Sequence, residues 1–413
     1  MSLQAPRGTK DILPEEVFLW QEIERKSRKL LSIYNYKEIR TPIFEDIALF
    51  KRSLGKVTDI VQKQMFVIKQ GDDELVLRPE ATASIARAYL ENNLGFGNKL
   101  RKLFYIGPMF RAERPQKGRF RQFHHIGVEA IGSTSPNIDI EIIELADHLL
   151  KSFGITNYKF IVNSLGCVQD KVKFADLLKE SLIKYKKDLC VDCKERLSKN
   201  IFRVLDCKDE KCKEITSSLK LNHSYLCSDC RHNFDIVLEG LVRYKMNYEV
   251  NERLVRGLDY YSGVVFEVTH PDLGAQDALG AGGRYDYLFK ELAEKEIGAA
   301  GFAFGEERLL LVTPKGKQEE SLKVYIITLG DIAVRKSLDL IREIRENGIS
   351  CDLDYSQGSL KSKLNDANKL GAKFTIIIGE DEINKGRVAV RDMAKSSQVE
   401  VEFDKIVDFL RNN

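Results

Sequence analysis

Long apolar runs are missing from this sequence. Nowhere do the roughly 18 to 20 consecutive apolar residues of a membrane span occur, and the opening MSLQAPRGTKDILPEE lacks the apolar centre of a signal peptide. A soluble cytoplasmic protein without membrane association is the expectation. An excess of either charge is missing too: 65 Lys and Arg face 62 Asp and Glu, a net charge of +3. Any nucleic-acid surface must therefore come from local segregation. No internal repeat or low-complexity tract stands out. The glycine cluster GAGGRYDYL lacks the following Lys and Ser/Thr of a P-loop and the spacing of a dinucleotide fingerprint. It reads as a tight turn, either plain or bringing Arg284 and Tyr285 toward a ligand.

What is present is ordinary globular material. Hydrophobic residues make up 43% and charged residues 31% of the 413 positions, enough for about two or three compact units. LPEEVFLWQEIERKSRKLLSIY places Val17, Trp20, Ile23, Leu30 and Leu31 on one helical face, with Pro14 and two glutamates in the first turn. KEIRTPIFED, KQMFVIKQ, ELVLRP, KLFYIGPMFRAE and FHHIGVEAIG are rich in β-branched and aromatic residues and read as strands of a mostly antiparallel sheet. DIEIIELADHLLKSFG reads as a helix, KFIVNS as a strand, and strands resume at RLVRGLDYYSGVVFEVTH. Between them, residues 167–245 turn lysine-rich and cysteine-bearing, like an insertion into a first α+β domain formed by 1–166 and 246–313. TPKGKQEES has the polar, Pro/Gly-containing character of a linker. From 322 to 413 strand and helix alternate, which argues for a separate α/β domain.

The local chemistry concentrates between Lys99 and Arg121, where eight basic residues stand against one acid, Glu113. On a strand, Arg111 and Glu113 would share a face, one able to clamp a phosphate and the other to accept from an amine or hold a metal. RPQKGR reads as a hairpin loop with Pro115 and Gly118 as turn residues. Its tip is either a solvated basic hairpin or a contact to a nucleic-acid backbone, with Gln116 offering amide donors. ELVLRPEATAS sets Arg78, Glu80 and Thr82 around a strand end, and LVRGLDYYSG offers Arg256, Asp259, Tyr260 and Tyr261. These are either ordinary strand residues or a small polar pocket, with a carboxylate for an ammonium group and phenols for ring nitrogens. GFAFGEERLLL runs a small-residue strand into an apolar helix start, with Arg308 where a phosphate would sit.

Together these stretches resemble class II aminoacyl-tRNA synthetases, specifically the histidyl-tRNA synthetase family, over essentially the whole chain. EIRTPIFED resembles the first class-defining motif, with Pro42 at a homodimer interface. FRAERPQKGRFRQFHHIGVE resembles the second motif and GFAFGEERLLL the third, while LVRGLDYY and GGRYDYL resemble two histidine-specific signatures.

The resemblance implies ATP-dependent activation of L-histidine and transfer to histidine tRNA. Arg111, Arg256 and Arg308 would be the catalytic cations: Arg111 and Arg256 on the α-phosphate, Arg308 at the γ-phosphate end. Glu113 and Arg119 would join Arg111 and Arg308 around ATP, with Mg²⁺ accompanying the nucleotide and Glu113 as its neighbour. Glu80 and Thr82 would take the substrate's ammonium, Glu129, Tyr260 and Tyr261 its imidazole, with Arg111, His125, Arg256 and Tyr285 completing the pocket. The family pattern after QFH usually continues with glutamine; here it is His125, whose protonation would repel a cationic substrate. Arg114, Gln116 and Lys117 would meet the tRNA acceptor end, and the domain from 322 the anticodon. Two rival readings are a non-catalytic regulatory relative, which usually lacks the C-terminal domain and the reactive arginines, and a zinc-dependent RNA-binding protein.

Six of the eight cysteines lie between Cys190 and Cys230. In a reducing compartment such clustering suggests a metal or plain thiols more than disulfides. Two CxxC pairs, Cys190/Cys193 and Cys227/Cys230, form an expected tetrahedral zinc set, with Cys207 and Cys212 as alternative ligands. The other reading is a reduced helical insert with semi-buried thiols.

Overall fold

The computed structural model describes residues 3–55, 58, 60–97, 99–274, 276–314, 322–356 and 358–413. The chain divides into two compact units, residues 1–315 and 316–413. From residue 315 to 321 the expected linker lies outside the described residues.

In the first unit, α1 (Pro14–Ile33) buries Trp20, Ile23, Leu30 and Leu31 as their spacing predicts, with Pro14 in its first turn. Next come β1 (Lys37–Glu38), β2 (Phe44–Asp46), α2 (Ile47–Ser53), β3 (Phe66–Gln70), β4 (Asp73–Leu77) and α3 (Thr82–Glu91). The long hairpin β5 (Arg101–Phe110) and β6 (Gln122–Ile131) leads to α4 (Pro136–Ser152) and β7 (Lys159–Ser164). The cysteine-bearing segment is helical, with α5 (Val168–Ile183), α6 (Val191–Lys199), α7 (Glu210–Ser218) and α8 (Ser228–Arg243). The unit closes with β8 (Tyr248–Val250), β9 (Ser262–Thr269), β10 (Ala278–Arg284), α9 (Tyr287–Ala293), β11 (Ala299–Gly305) and α10 (Glu306–Val312).

Eight strands form one sheet in the order β1-β5-β6-β11-β10-β9-β7-β8. All pairings from β5 through β7 are antiparallel, and only the short edge strands β1 and β8 pair in parallel. Period-2 alternation gives this sheet two different faces. Along β6, Ile126, Val128 and Ala130 join the core under α1 and α4. His125, Gly127 and Glu129, one residue out of step, face the other side and line a cleft apart from Gly127. At Gly127 a Cβ would stand 2.3 Å from the Tyr105 ring, so the phenol occupies that side-chain space. The second core, holding Ile85, Tyr89, Tyr105, Tyr260, Tyr261 and Tyr285, packs on the cleft side.

The cysteine-bearing segment has a hydrophobic cluster of its own, including Phe174, Leu178, Leu182, Val204 and Tyr225. Helix α8 instead gives Phe234, Val237 and Leu241 to the core under the main sheet.

GAGGRYDYL is not the expected turn: Ala278–Arg284 is β10, an inner strand of the sheet. A Cβ at Gly280 or Gly282 would meet a backbone oxygen of β11 at 2.4 or 2.3 Å, so these glycines allow close strand packing. Nor does Arg284 approach a ligand. It is buried, donating to Asp139 from Nε at 3.1 Å and Nη2 at 2.6 Å, and to Asp286 at 3.1 Å. Breaking such a buried pair costs about 3–5 kcal/mol.

The second unit comprises β12 (Val324–Thr328), α11 (Asp331–Glu346), β13 (Cys351–Leu353), α12 (Leu360–Lys369), β14 (Phe374–Ile378), α13 (Glu380–Lys385), β15 (Arg387–Asp392), β16 (Gln398–Glu402) and α14 (Ile406–Asn412). Its five-stranded sheet, ordered β13-β12-β14-β15-β16, is parallel at β13/β12/β14 and antiparallel beyond. The alternation read from sequence is present, with α13 and β16 in addition.

Candidate active site

The cleft on the open face of the main sheet encloses about 350 Å³ and gathers residues from distant parts of the first unit. Glu80, Thr82, Arg111, Glu113, Arg119, His125, Glu129, Arg256, Tyr260, Tyr261, Tyr285 and Arg308 all line it. The expected amino-acid and nucleotide residues are thus brought together. Arg114, Gln116 and Lys117 do not line it; they are exposed or at the rim of the hairpin, which turns at Gly118 with φ +70°.

At one end stands a polar knot. Glu129 is buried in β6; its Oε1 accepts from the Thr82 hydroxyl at 2.7 Å and its Oε2 from the Tyr285 hydroxyl. Burial pushes the Glu129 carboxyl up to about 8, against the opposing pull of those hydrogen bonds. Gly301, paired with Glu129 across the strands, makes room: a Cβ there would lie 2.0 Å from Glu129 Oε2 and 2.3 Å from the Val128 carbonyl oxygen. Tyr260 and Tyr261 stack at a tilt, centroids 4.8 Å apart, and Tyr260 meets Tyr285 edge-on at 5.7 Å. Glu80 accepts from the amides of Thr82 at 2.8 Å and Ala83 at 2.9 Å, tying off the first turn of α3. Burial raises its carboxyl above the ordinary range.

Three guanidiniums face the middle and far end. Arg111 lies just beyond the end of β5 at Phe110, so the shared-strand-face reading of Arg111 and Glu113 does not hold, although both reach the cleft. Arg111 Nε donates to the Pro79 carbonyl at 2.9 Å and its guanidinium sits 5.2 Å from the Phe123 ring centroid, leaving the outer nitrogens toward the cleft. Arg256 comes from an irregular loop where a strand was expected, and donates to Glu267. Burial would lower this guanidinium; the Glu267 carboxylate outweighs it and holds the cation above its ordinary value. Arg308, in the first turn of α10, is anchored to the carbonyls of Gln276 at 3.0 Å and of Ala278. Burial and the nearby Arg119 cation lower it. Glu113 lies 3.5 Å from Arg119.

His125 sits edge-on to Phe123 with centroids 5.0 Å apart, its Nδ1 buried without a protein partner. Burial, then the Arg111 cation, lowers it to about 3. The imidazole is therefore neutral at working pH and keeps both donor and acceptor capacity; the expected repulsion of a cationic substrate does not arise.

Sequence reading missed several residues here. Arg203 and Asp206, from the cysteine-bearing segment, line the cleft. Glu267 sets Arg256, and Tyr105 fills the space over Gly127. Arg78, grouped with the pocket from sequence, is buried and structural: it donates to the carbonyls of Pro108 at 3.0 Å and Thr41 at 3.1 Å.

A family model described as histidyl-tRNA synthetase matches residues 8–309, and one described as an anticodon binding domain matches residues 323–413. The chain belongs to the histidyl-tRNA synthetase family. Histidine–tRNA ligase of Halothermothrix orenii is 44% identical, covering 99% of each chain, and that of Clostridioides difficile is 42% identical, covering 100% of this chain and 99% of the relative. Among solved structures, apo histidyl-tRNA synthetase of S. aureus is 35% identical with a TM-score of 0.81, covering 99% of this chain and 100% of that one. A Nostoc histidyl-tRNA synthetase at 19% identity and TM-score 0.68 shares the fold.

The predicted zinc quartet is not formed. Cys190 and Cys193 gather with Cys207 and Cys212, whereas Cys227 and Cys230 gather with Cys167 and Asp170. The CxxC spacing suited either pairing; α7 decides it by carrying Cys212 to the start of α6, where its sulfur accepts the Cys190 amide at 3.2 Å. Among the described residues no helix is long and apolar enough to cross a membrane.

Proposed function

We propose that this chain is a histidine–tRNA ligase that forms histidyl-adenylate from L-histidine and ATP, releases diphosphate, and passes histidine to the terminal adenosine of histidine tRNA with release of AMP. The observation that carries this reading is a single cleft with a carboxylate-centred polar knot at one end and Arg111, Arg256 and Arg308 along the rest. The histidine carboxylate would attack the α-phosphorus as the bond to diphosphate breaks. Arg111 and Arg256 would neutralise charge developing on the α-phosphate, and Arg308 would hold the γ-phosphate end. Such displacement needs positioning and charge neutralisation more than proton chemistry.

Glu129, with Tyr260, Tyr261 and Tyr285, would read the imidazole, and Glu80, Thr82 and His125 would meet the ammonium end. Pairing each polar atom of the substrate allows rejection of lookalikes by about 10⁴ to 10⁵. Arg119 and Glu113 would complete the nucleotide site. Magnesium suits this donor set: Glu113 is a cleft-lining carboxylate with lone pairs to spare beside Arg119. No larger acidic cage is found among the described residues, as fits an ion held chiefly by substrate phosphates and water. Bound there, it would add positive charge against the phosphates.

Arg114, Gln116 and Lys117, exposed or at the hairpin's rim, would meet the tRNA acceptor end, and residues 322–413 the anticodon. In this reading residues 1–166 and 246–313 are the catalytic domain and 167–245 its insertion, and the protein works in the cytoplasm. A homodimer is supported by exposed Ile43 and Phe44, next to Pro42, and by exposed Ile68 on β3 of the same three-stranded sheet as Phe44. Zinc enters only as a structural ion of the insertion. The test is histidine-dependent exchange of pyrophosphate into ATP. Exchange above background with histidine, abolished in Arg256→Ala while tRNA affinity holds, is expected. No exchange by folded protein would favour a regulatory relative.

A further inference from the structure

Four of the insertion's cysteines form a chemical feature that ligation does not use. The Sγ atoms of Cys190, Cys193, Cys207 and Cys212 all lie within 4.8 Å of one another, three of the four residues being buried. Cys190 and Cys207 sulfurs are 3.8 Å apart. Four sulfurs around zinc at about 2.3 Å stand at the corners of a tetrahedron whose edge is about 3.8 Å. All four are free thiols.

The backbone is arranged as metal knuckles require. Cys190 caps α6 and its sulfur accepts the Cys193 amide at 3.4 Å, while Cys212 sulfur accepts the Cys190 amide at 3.2 Å. Such donors fix the direction in which each sulfur points. No carboxylate or imidazole belongs to the quartet. An all-sulfur set selects a soft metal and excludes magnesium or calcium, and four protein ligands leave no open position for catalysis.

We propose that Cys190, Cys193, Cys207 and Cys212 hold one structural zinc ion in this insertion. Binding displaces the four thiol protons to solvent as four Zn–S bonds form. The ion ties α6 to α7 and closes the chain segment between Cys193 and Cys207. That segment delivers Asn200, which donates to Asp259 at 2.8 Å beside the tyrosine pair, and Arg203, which lines the cleft; Asp206 lines it too. The zinc therefore positions one wall of the cleft from outside it. The insertion's own hydrophobic cluster is small, the situation in which a metal staple contributes most.

The test uses the full chain purified under reducing conditions from zinc-supplemented culture, with zinc and iron measured by mass spectrometry. Wild type is expected to carry zinc, and Cys193→Ser and Cys212→Ser each to carry one equivalent less. Absence of zinc from wild type, iron in its place, or unchanged zinc in Cys212→Ser overturns the proposal. So does a loss confined to Cys230→Ser, which would restore the other pairing. Should Cys193→Ser and Cys212→Ser not fold, the Cys230→Ser protein, which keeps the quartet and breaks the second cysteine group, loaded with cobalt(II) alone decides. Intense thiolate-to-metal charge-transfer bands with a tetrahedral d–d envelope support the site, and a weak octahedral spectrum refutes it.

Discussion

Replacing Gly301 by alanine tests the polar knot by displacing Glu129 while leaving every polar side chain of the cleft in place. The added Cβ would stand 2.0 Å from Glu129 Oε2 and 2.3 Å from a backbone oxygen of β6, so neither a rotamer change nor strand relaxation alone removes the conflict. Overpacking of this kind costs about 1–3 kcal/mol of stability. Moving Glu129 also loosens its two bonds from Thr82 and Tyr285, each worth about 0.5–1.5 kcal/mol net. At about 1.4 kcal/mol per tenfold, histidine affinity should fall roughly 10- to 100-fold. Arg308 stands at the other end of β11, so the KM for ATP should stay within roughly twofold. Pyrophosphate exchange with histidine and ATP varied in turn separates the two. A folded variant with an unchanged histidine KM, or with both KM values raised alike, would refute the reasoning.

His125 gives a pH prediction. Its folded value near 3 lies below the 6.5 of an unfolded imidazole, so the stability it contributes is present above pH 6.5 and is lost progressively as pH falls toward 3. At pH 5 the loss is about 1–2 kcal/mol. Thermal unfolding at pH 7.5 and 5 should show a smaller drop for His125→Gln than for wild type, and equal drops would count against the buried neutral imidazole. On the hairpin tip, Lys117→Ala should weaken tRNA binding and reduce the salt slope by about one, leaving exchange intact. A lost exchange activity would put Lys117 on the ATP side.

The legible parts of this molecule are those where periodicity meets a single buried face. Helix α1 and the inner strands β5 and β6 follow their apolar spacing, since one face of each packs against a continuous core. RLVRGLDYYSG misled because its β-branched and aromatic residues serve a loop. Asn163 holds the carbonyls of Glu252 and Leu254, and Asn200 holds Asp259, which side-chain hydrogen bonding achieves and propensity cannot reveal. Glycine in GAGGRYDYL looks the same whether it serves a turn or a close strand approach, and only the β11 neighbours at Gly280 and Gly282 distinguish them. Most of the cleft-lining residues were legible through four of the five motifs, GGRYDYL among them, while Glu80 and Thr82 stood out only in ELVLRPEATAS. The neutral state of His125, the anchoring of Arg256 by Glu267 and the cysteine pairing depend on contacts between segments far apart in the chain.

His125 and Glu129 lie four residues apart on one face of β6, roughly 13–14 Å at about 3.4 Å per residue. β6 is hydrogen-bonded on both sides, to β5 and to β11, so this interval cannot stretch without shearing three strands. In the proposed reading the strand would therefore work as a fixed gauge, setting the ring end of a bound amino acid at one mark and its backbone end at the other. A homologue one methylene longer could satisfy Glu129 only by carrying its carboxylate away from Arg111 and the α-phosphate. Molecular length, and not only the pattern of donors and acceptors, would thus be screened before any bond is made.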